Sequence, residues 1–567
     1  MNKQTKWLTA AAVAASFSLA LTACGGSTPS EGGGDEAPRT IEGADYNPVD
    51  RADMQQGGTV VRAIGEISPQ MNAMHSDGQV DTQTVWTWYN PQIILSTPEG
   101  EAYPNPAYVS EKTVEEVDGN TVLTLTFTDE AEFNDGTPMD WKTIENTWIA
   151  NNGEGDYVPN STEGYRNIAS VEAGETEKQA VVTFDGTFAW VDALFFNVVH
   201  PAVDTAEKFN EAYLEEAHPE WGAGPYTIKE FDKNGRVITF EPNENWWGDE
   251  PMLDEMTFRE MDETAAMNAF RNGEIDMVGT GTADRMQQIA DMDGVTTYRA
   301  ARAATNLIEL NAEREQFADL ETRQALLMAI NREQITEVMW DGLDYTEDPA
   351  GSLNLYPYQE GYEDALANAG WEFNVDEANA ILDEAGWAMG DDGVRERDGV
   401  RFEGRLPSFG DDPITEARGR VVQQQLAEVG FELELDQRAP SEFSTTLSEK
   451  DWDLVMLGFS SSDAYGVMWM CQLYCEGSGL NLSATMDSSF DDRIHEVEAL
   501  ATPEEQIPAA MELEADLIAE SWGILPLYSG PSIMTVKDGL ANLTPEPYTG
   551  LDLFGIQPVE NFGWAAE

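Results

Sequence analysis

The three cysteines are the residues whose positions most clearly indicate chemistry. Cys24 ends a segment in which Lys3 and Lys6 precede a mostly apolar run that closes on Leu-Thr-Ala. This pattern is typical of a secretory signal, and the apolar run is too short for a permanent membrane span. The last four residues resemble the bacterial lipobox, in which the cysteine thiol receives a diacylglyceryl group. The alternative is an ordinary signal peptide with an incidental cysteine.

Cys471 and Cys475 form a C-x3-C pair. On a helix, residues with this spacing lie about 6 Å apart at Cα, which is within bridging range. In an exported protein the pair favours a local disulfide. A metal site would need more ligands, and the nearest histidine in sequence is His495. Free thiols and a metal site are the weaker alternatives, and we predict no metal.

Glycine, serine, proline and acidic residues dominate residues 25–56, which include GGSTPSEGGGDEAP. This composition cannot bury a core and is typical of a flexible tether. We therefore predict a signal peptide at 1–23 and a lipid-anchored flexible tether at 24–56. The folded part would then work at the extracytoplasmic face of the cell membrane, held there by lipid on Cys24.

The composition excludes several classes of function. The chain has 567 residues, with 105 acidic and 31 basic side chains, so its formal charge is -74. A charge of this sign repels phosphate backbones, and nucleic acid is therefore excluded as a partner. A hydrophobic content of 41% supplies a sizeable core and argues against general disorder.

Motifs for catalysis and cofactor binding are missing from the sequence. No Gly-Lys dipeptide occurs, so there is no P-loop, and neither G-x-S-x-G nor H-E-x-x-H is present. The four histidines are widely scattered along the chain. We therefore predict a protein that is not an enzyme and carries no cofactor. A secreted hydrolase whose catalytic residues assemble only in space is the alternative.

Strand-like and helix-like segments alternate along the chain. Residues 121–127 (TVLTLTF) alternate apolar and polar side chains with period two, which predicts a half-buried strand. A tight turn follows at 135–138 (DGTP), and helical spacing begins after it. Residues 319–340 predict two short helices broken near Asn331, and residues 451–457 (DWDLVML) predict a buried strand. Interleaved elements of this kind indicate α/β layers with mixed sheets.

Several segments resemble, in order, the family 5 solute-binding proteins of ABC importers, which are oligopeptide- and dipeptide-binding lipoproteins. The most specific are LTLTFTDEAEFNDGTPMDWKTIENTW, GAGPYTIKEFDKNGRVITFEPNENWWGDEPMLDEMTFREM, FRNGEIDM, DLETRQALLMAINREQI, DEANAILDEAGW, QQQLAEVGFELEL and ILPLY. The resemblance begins near Gly57 and reaches the C-terminus. It implies a type II periplasmic-binding-protein-like (Venus flytrap) α/β fold, with two main lobes of mixed sheets and a smaller extra domain.

The same resemblance implies how the chain divides. Lobe I would be built from residues 57–90, 205–303 and 532–567. The extra domain would comprise 91–204, and lobe II would comprise 304–531. In this architecture the two lobes close around a ligand by a hinge motion.

The resemblance also suggests ligand-binding residues after the strand at 451–457. In peptide-binding members, a strand ending in GW-x-x-D supplies an aspartate that pairs with the peptide α-ammonium. Here the strand continues as Gly458, Phe459 and Ser460, so phenylalanine replaces tryptophan. Asp463 falls one position late, and Ser462 occupies the expected place. An arginine that meets the ligand carboxylate in oligopeptide binders is replaced by methionine at 456, which weakens a strict peptide interpretation.

Three further residues are candidates for the ligand pocket. Trp86 and Trp469 belong to aromatic clusters that would line side-chain pockets or stack on sugar rings. Such aromatic residues are more often part of a core. Glu66 follows the first strand and is a candidate acid at the rim of the pocket.

We therefore expect a monomeric substrate-binding lipoprotein that captures peptides and delivers them to an ABC permease and its ATPase. Within the same fold, the alternative ligands are an oligosaccharide, a glycolipid head group or a metal chelate. A different alternative is an envelope regulator that keeps the fold without transporting a solute.

Overall fold

The computed structural model describes residues 47–566, except for 79, 97–101, 303, 360, 410–412, 440–441, 461–466, 468–469, 477, 479–480, 486–487 and 544–557. Within these ranges, every helix is too short or too polar to cross a bilayer. Cys24, Ser462, Asp463 and Trp469 lie outside the described residues, as do the predicted signal peptide and most of the predicted tether.

Strands and helices alternate through the described chain. The strands are β1 (Thr59–Ile64), β2 (Ile94–Ser96), β3 (Ala102–Pro104), β4 (Val109–Val117), β5 (Asn120–Phe127), β6 (Ile168–Ala173), β7 (Gln179–Phe184), β8 (Tyr226–Asp232), β9 (Val237–Pro242), β10 (Glu255–Glu260), β11 (Met277–Gly279), β12 (Val295–Ala301), β13 (Ala304–Leu310), β14 (Ala388–Met389), β15 (Arg395–Arg397), β16 (Val400–Arg401), β17 (Glu403–Phe409), β18 (Glu432–Arg438), β19 (Leu454–Ser460), β20 (Ile524–Tyr528), β21 (Pro531–Lys537), β22 (Leu540–Ala541) and β23 (Gly563–Trp564). The helices are α1 (Val80–Tyr89), α2 (Trp141–Asn151), α3 (Ala206–Glu211), α4 (Glu263–Arg271), α5 (Ala283–Ile289), α6 (Leu320–Met328), α7 (Arg332–Met339), α8 (Ala365–Asn368), α9 (Val375–Glu384), α10 (Pro413–Ala427), α11 (Phe443–Ser448), α12 (Met470–Tyr474), α13 (Ser488–Glu498) and α14 (Pro503–Ser521).

The large sheet of predicted lobe I has the strand order β12-β21-β11-β1-β10-β9-β8. Strand β1 runs parallel to β10 and β11, whereas β9, β12 and β21 pair antiparallel with their neighbours. One face buries Val60 and Ile64 of β1 together with the aromatic side chains of α1. The prediction of an α/β fold with mixed sheets is confirmed.

The predicted extra domain is built on an antiparallel sheet in the order β4-β5-β7-β6. The alternating strand at 121–127 lies at its centre as β5, with Leu123, Leu125 and Phe127 buried. The DGTP turn precedes α2, which begins after Asp140 because that side chain accepts a hydrogen bond from the Lys142 N–H.

The DGTP turn joins the extra domain to lobe I. The Asn134 N–H donates to the Gly222 carbonyl at 2.8 Å, and the Asp135 N–H donates to the Glu220 carbonyl at 3.0 Å. The Asn243 side chain donates to Asn134 Oδ1 at 2.9 Å. These contacts join segments far apart in sequence and hold the extra domain against lobe I.

Predicted lobe II contains the antiparallel sheet β19-β13-β20 and the parallel pair β17-β18. Helix α7 begins where the sequence predicts a break, because the Asn331 side chain caps it by accepting the Gln334 N–H at 3.0 Å. Strand β19 begins at Leu454, three residues later than predicted, and extends to Ser460. Asp453 precedes it and accepts the Arg405 N–H at 2.8 Å, which ties this end to β17.

Candidate functional site

The chain crosses between the predicted lobes at two adjacent places. It leaves lobe I between β12 and β13 and returns between β20 and β21. The Arg302 N–H of the first crossover donates to the Gly530 carbonyl of the second at 2.9 Å. Gly530 has φ +91°, a conformation that favours glycine. Two adjacent crossover segments of this kind can serve as a hinge about which lobes rotate.

Glu347 fastens the second crossover to lobe II. Its carboxylate accepts the Ser529 N–H at 2.7 Å and the Gly530 N–H at 3.0 Å, and the Tyr345 hydroxyl donates to it as well. Burial raises the pKa of Glu347, and these hydrogen bonds oppose that shift. The carboxylate therefore fixes the backbone of the second crossover.

The end of β19 lies beside these crossovers. Asn306 of β13 pairs with Gly458, and its side-chain amide donates to the Ser529 carbonyl at 3.2 Å. Gly458 is exposed, and Phe459 is half-buried against the apolar cluster around Trp190. The predicted residues Gly458, Phe459 and Ser460 thus lead from the crossovers toward positions 461–466. The roles proposed for Ser462, Asp463 and Trp469 stay predictions.

At the end of β1, Arg62 lies near the carboxylate of Asp81. The sequence analysis did not identify Arg62 as a candidate. Glu66 is exposed, and its N–H donates to the Asp81 carboxylate at 2.9 Å. Arg62 is half-buried on the same strand, and burial lowers the pKa of its guanidinium while the negative charge of Asp81 opposes the shift. The sequence signal that could have identified Arg62 is a single cation inside the mostly apolar run TVVRAI.

Trp86 lies in the core of lobe I and does not form an exposed wall. Its side chain is 1% exposed, and its ring packs against Tyr89 and Tyr213 at centroid distances of 6.0 and 5.4 Å. The helix α1 that carries Trp86 is buried along most of its length, so the aromatic cluster serves packing in this structure.

A cavity of about 600 Å³ lies between the extra domain and lobe II. Trp190 lines it from the extra domain, and the disulfide between Cys471 and Cys475 lines it from lobe II. The two sulfur atoms and the nearest ring nitrogen of His495 lie within 4.8 Å of one another. Both sulfur atoms are committed to the disulfide, so they offer no thiolate to a metal ion.

Trp190 also connects the extra domain directly to lobe II. Its indole N–H donates to Gln506 Oε1 at 2.7 Å, and the Gln506 amide donates in turn to the Glu498 and Leu500 carbonyls at 3.0 and 2.8 Å. The Thr187 hydroxyl donates to the Ala499 carbonyl at 2.7 Å. Because the extra domain is held against lobe I, these contacts link the lobes at a place remote in sequence from the crossovers.

Lobe II also buries two carboxyl groups that no sequence pattern identified. Glu514 accepts the Leu353 N–H at 2.7 Å and the Tyr474 hydroxyl at 3.3 Å, and burial raises its pKa to about 7. Glu309 is fully buried on β13. Burial raises the pKa of Glu309 to about 8, and a hydrogen bond from the Ser483 backbone opposes this shift, so the protonated form predominates at neutral pH.

Comparisons with known proteins agree with the resemblance found in the sequence. Residues 103–479 match the model of the family described as bacterial extracellular solute-binding proteins, family 5 Middle. The oligopeptide-binding protein OppA of Mycobacterium tuberculosis is 29% identical over 525 residues, which cover 90% of this chain and 87% of that relative. The predicted family is thereby confirmed.

Solved structures share the fold. The periplasmic EDTA-binding protein EppA has a TM-score of 0.81 at 22% identity, covering 93% of this chain and 98% of EppA. The oligopeptide-binding protein AppA of Bacillus subtilis, in complex with a nonapeptide, has a TM-score of 0.69 at 20% identity, covering 91% of this chain and 100% of AppA. The prediction of a type II periplasmic-binding-protein-like fold is confirmed.

Proposed function

Because this chain belongs to family 5 of the bacterial extracellular solute-binding proteins, we propose that it captures peptides between lobe I and lobe II and delivers them to an ABC permease. Extracytoplasmic binding of a substrate for an ABC importer is the role of this family. The observation that supports a peptide ligand is the likeness to OppA along 90% of the chain. The shared fold of AppA, whose structure contains a nonapeptide, adds support.

In the mechanism we propose, the two lobes close around the peptide and leave it chemically unchanged. Rotation about the two crossovers brings the walls of the lobes together around the peptide, and release to the permease reverses it. The protein would act on no covalent bond, so it would not be an enzyme. Ligand must favour the closed state over the open one, because only a difference in affinity between the two states can shift their populations.

We propose Asp463 as the partner of the peptide α-ammonium, with Ser462 as the alternative at the family position. A charge-assisted hydrogen bond in a water-excluded site contributes about 1.5–3 kcal/mol. The exposed backbone of Gly458 and the ring of Phe459 would form the adjacent wall of the pocket. We also propose that the mature protein is a monomer tethered to the outer face of the membrane by lipid on Cys24.

A metal chelate is the second candidate ligand. It is favoured by the TM-score of 0.81 to EppA, which is higher than the 0.69 to AppA. Calorimetric titration of the purified protein with a nonapeptide and with Fe(III)-EDTA separates the two. We expect saturable one-to-one binding of the peptide alone. Binding of the chelate without any binding of peptide would overturn the peptide proposal.

A further inference from the structure

The cavity between the extra domain and lobe II has the size of a ligand pocket. Its volume of about 600 Å³ falls within the range of about 300–1,000 Å³ that is usual for small-molecule sites. Gly164 and Trp190 contribute to one wall, and Val467 and Cys471 contribute to the other. Because its walls belong to the extra domain and to lobe II, this cavity changes shape when the two move relative to each other.

The charged groups of this cavity leave one carboxylate poorly compensated. Glu163 lies beside Arg166, whose guanidinium donates to it at 2.5 Å. Among the described residues, the cation beside Glu498 is His495, with 3.8 Å between Nε2 and the carboxylate oxygen. The Glu498 side chain is 34% exposed, whereas that of His495 is 60% exposed and well solvated. Glu476 adds a further, exposed acid to the lining.

Burial disfavours the ionised form of Glu498. Burial raises its pKa to about 7, with the positive charge of His495 opposing and the negative charge of Glu163 adding to this effect. A cation beside this carboxylate would stabilise the ionised form. Electrostatic attraction to Glu498 would therefore favour a positively charged ligand in this cavity.

The rest of the lining is mixed: Asn167, Thr187, Gln472 and Gln506 are polar, and apolar and aromatic side chains form much of the remainder. Phe188, Trp190 and Val467 face the cavity together with the disulfide of Cys471 and Cys475. Aromatic faces attract ammonium and guanidinium groups, and apolar walls suit an alkyl stem. A lysine or arginine side chain, with its alkyl stem and cationic tip, has both properties.

The cavity also lies close in sequence to the proposed ammonium anchor. Val467 follows Asp463 by four residues, and it is 1% exposed. Four residues span at most about 14 Å, the length of a few residues of an extended peptide. A peptide held at Asp463 could therefore place a nearby side chain in this cavity.

We propose that this cavity binds a lysine or arginine side chain of the transported peptide, with Glu498 as its counter-charge. The inference rests on the proposed function and specifies it further. It makes the protein selective for peptides that carry a basic residue.

The test is selection from an equimolar random pentapeptide library on immobilised protein, followed by mass spectrometry of the retained peptides. We expect at least fivefold enrichment of lysine and arginine at one position. Glu498→Gln should abolish the enrichment, and Glu498→Asp should restore part of it. Glu496→Gln is the matched control, because it removes the same charge from an exposed position of α13 outside the cavity lining.

The outcomes separate the two proposals. Two outcomes would overturn the binding of a basic side chain in this cavity without affecting the proposal of peptide capture. One is retention of peptides without enrichment of lysine or arginine, and the other is enrichment that persists in Glu498→Gln. If no peptide is retained, peptide capture fails. Calorimetry with spermidine and agmatine then tests the cavity alone: binding lost in Glu498→Gln supports a cation site, and no binding overturns it. Thermal unfolding of each variant shows whether it is folded.

Discussion

Trp190 of the extra domain donates its indole N–H to the buried Gln506 of lobe II at 2.7 Å, across 316 residues of sequence. The crossovers join the lobes covalently, whereas this hydrogen bond joins them through the extra domain. We propose that this contact between the extra domain and lobe II belongs to the closed form, which the hydrogen bond would stabilise.

Trp190→Phe keeps an aromatic ring and removes this hydrogen bond. A net hydrogen bond contributes about 0.5–1.5 kcal/mol, so we expect ligand dissociation to accelerate by about twofold to tenfold. Stopped-flow fluorescence measures the rate. Trp148→Phe is the control, because it removes an indole hydrogen bond to the Tyr165 carbonyl within the extra domain. Equal dissociation rates for wild type and Trp190→Phe would contradict a role in closure.

The anchor proposed at Asp463 predicts a loss of peptide affinity. Asp463→Ala should weaken binding of a nonapeptide at least tenfold, because the peptide ammonium would lose its charged partner. Ser462→Ala should have a smaller effect if Asp463 is the anchor. Calorimetry measures both, with circular dichroism as the check on folding. Unchanged affinity in Asp463→Ala would remove this residue from the site.

If a lysine or arginine side chain binds beside Glu498, binding should release a proton. The groups facing Glu498 are His495 on its own helix, Glu163 and Arg166 of the extra domain, and Glu476 after α12. With a Glu498 pKa of about 7, part of this carboxyl is protonated at pH 7, and a bound cation should drive the proton off.

Calorimetry of a lysine-containing pentapeptide in buffers of different ionisation enthalpy measures that proton. We expect a net release of a fraction of a proton at pH 7 that disappears in Glu498→Gln. Release of the same size in the variant would assign the proton to another group.

The buried Glu309 predicts a stability that falls with rising pH. In the unfolded chain its carboxyl ionises near its ordinary pKa of 4.5, and in the folded protein only near pH 8. Between these values the folded state binds more protons, so its stability is lost as pH rises, by up to about 1.4 kcal/mol per pH unit.

Urea unfolding of the ligand-free protein at several pH values from 5 to 8.5 measures this slope. Glu309→Gln should make the slope less steep, whereas Glu512→Gln on the exposed face of α14 should leave it unchanged. The prediction fails if wild type and Glu309→Gln lose stability in parallel.

The fold elements that the sequence predicted are those set by local rules. The strand at 121–127, the DGTP turn and the cap at Asn331 depend on alternation, turn residues and a side chain three residues from its partner. The contact between Trp190 and Gln506 and the hold of Glu347 on Ser529, 182 residues apart, arise only when distant segments pack. The site was less predictable still, since Arg62 and Glu498 acquire their properties from burial.

The most direct test of peptide capture is native mass spectrometry of the protein purified from its own cells, before and after release of its ligand by mild denaturation. We predict a bound mass that sequencing identifies as peptide carrying lysine or arginine, released chemically unchanged. A bound sugar or metal chelate, or a ligand that leaves chemically altered, would contradict it.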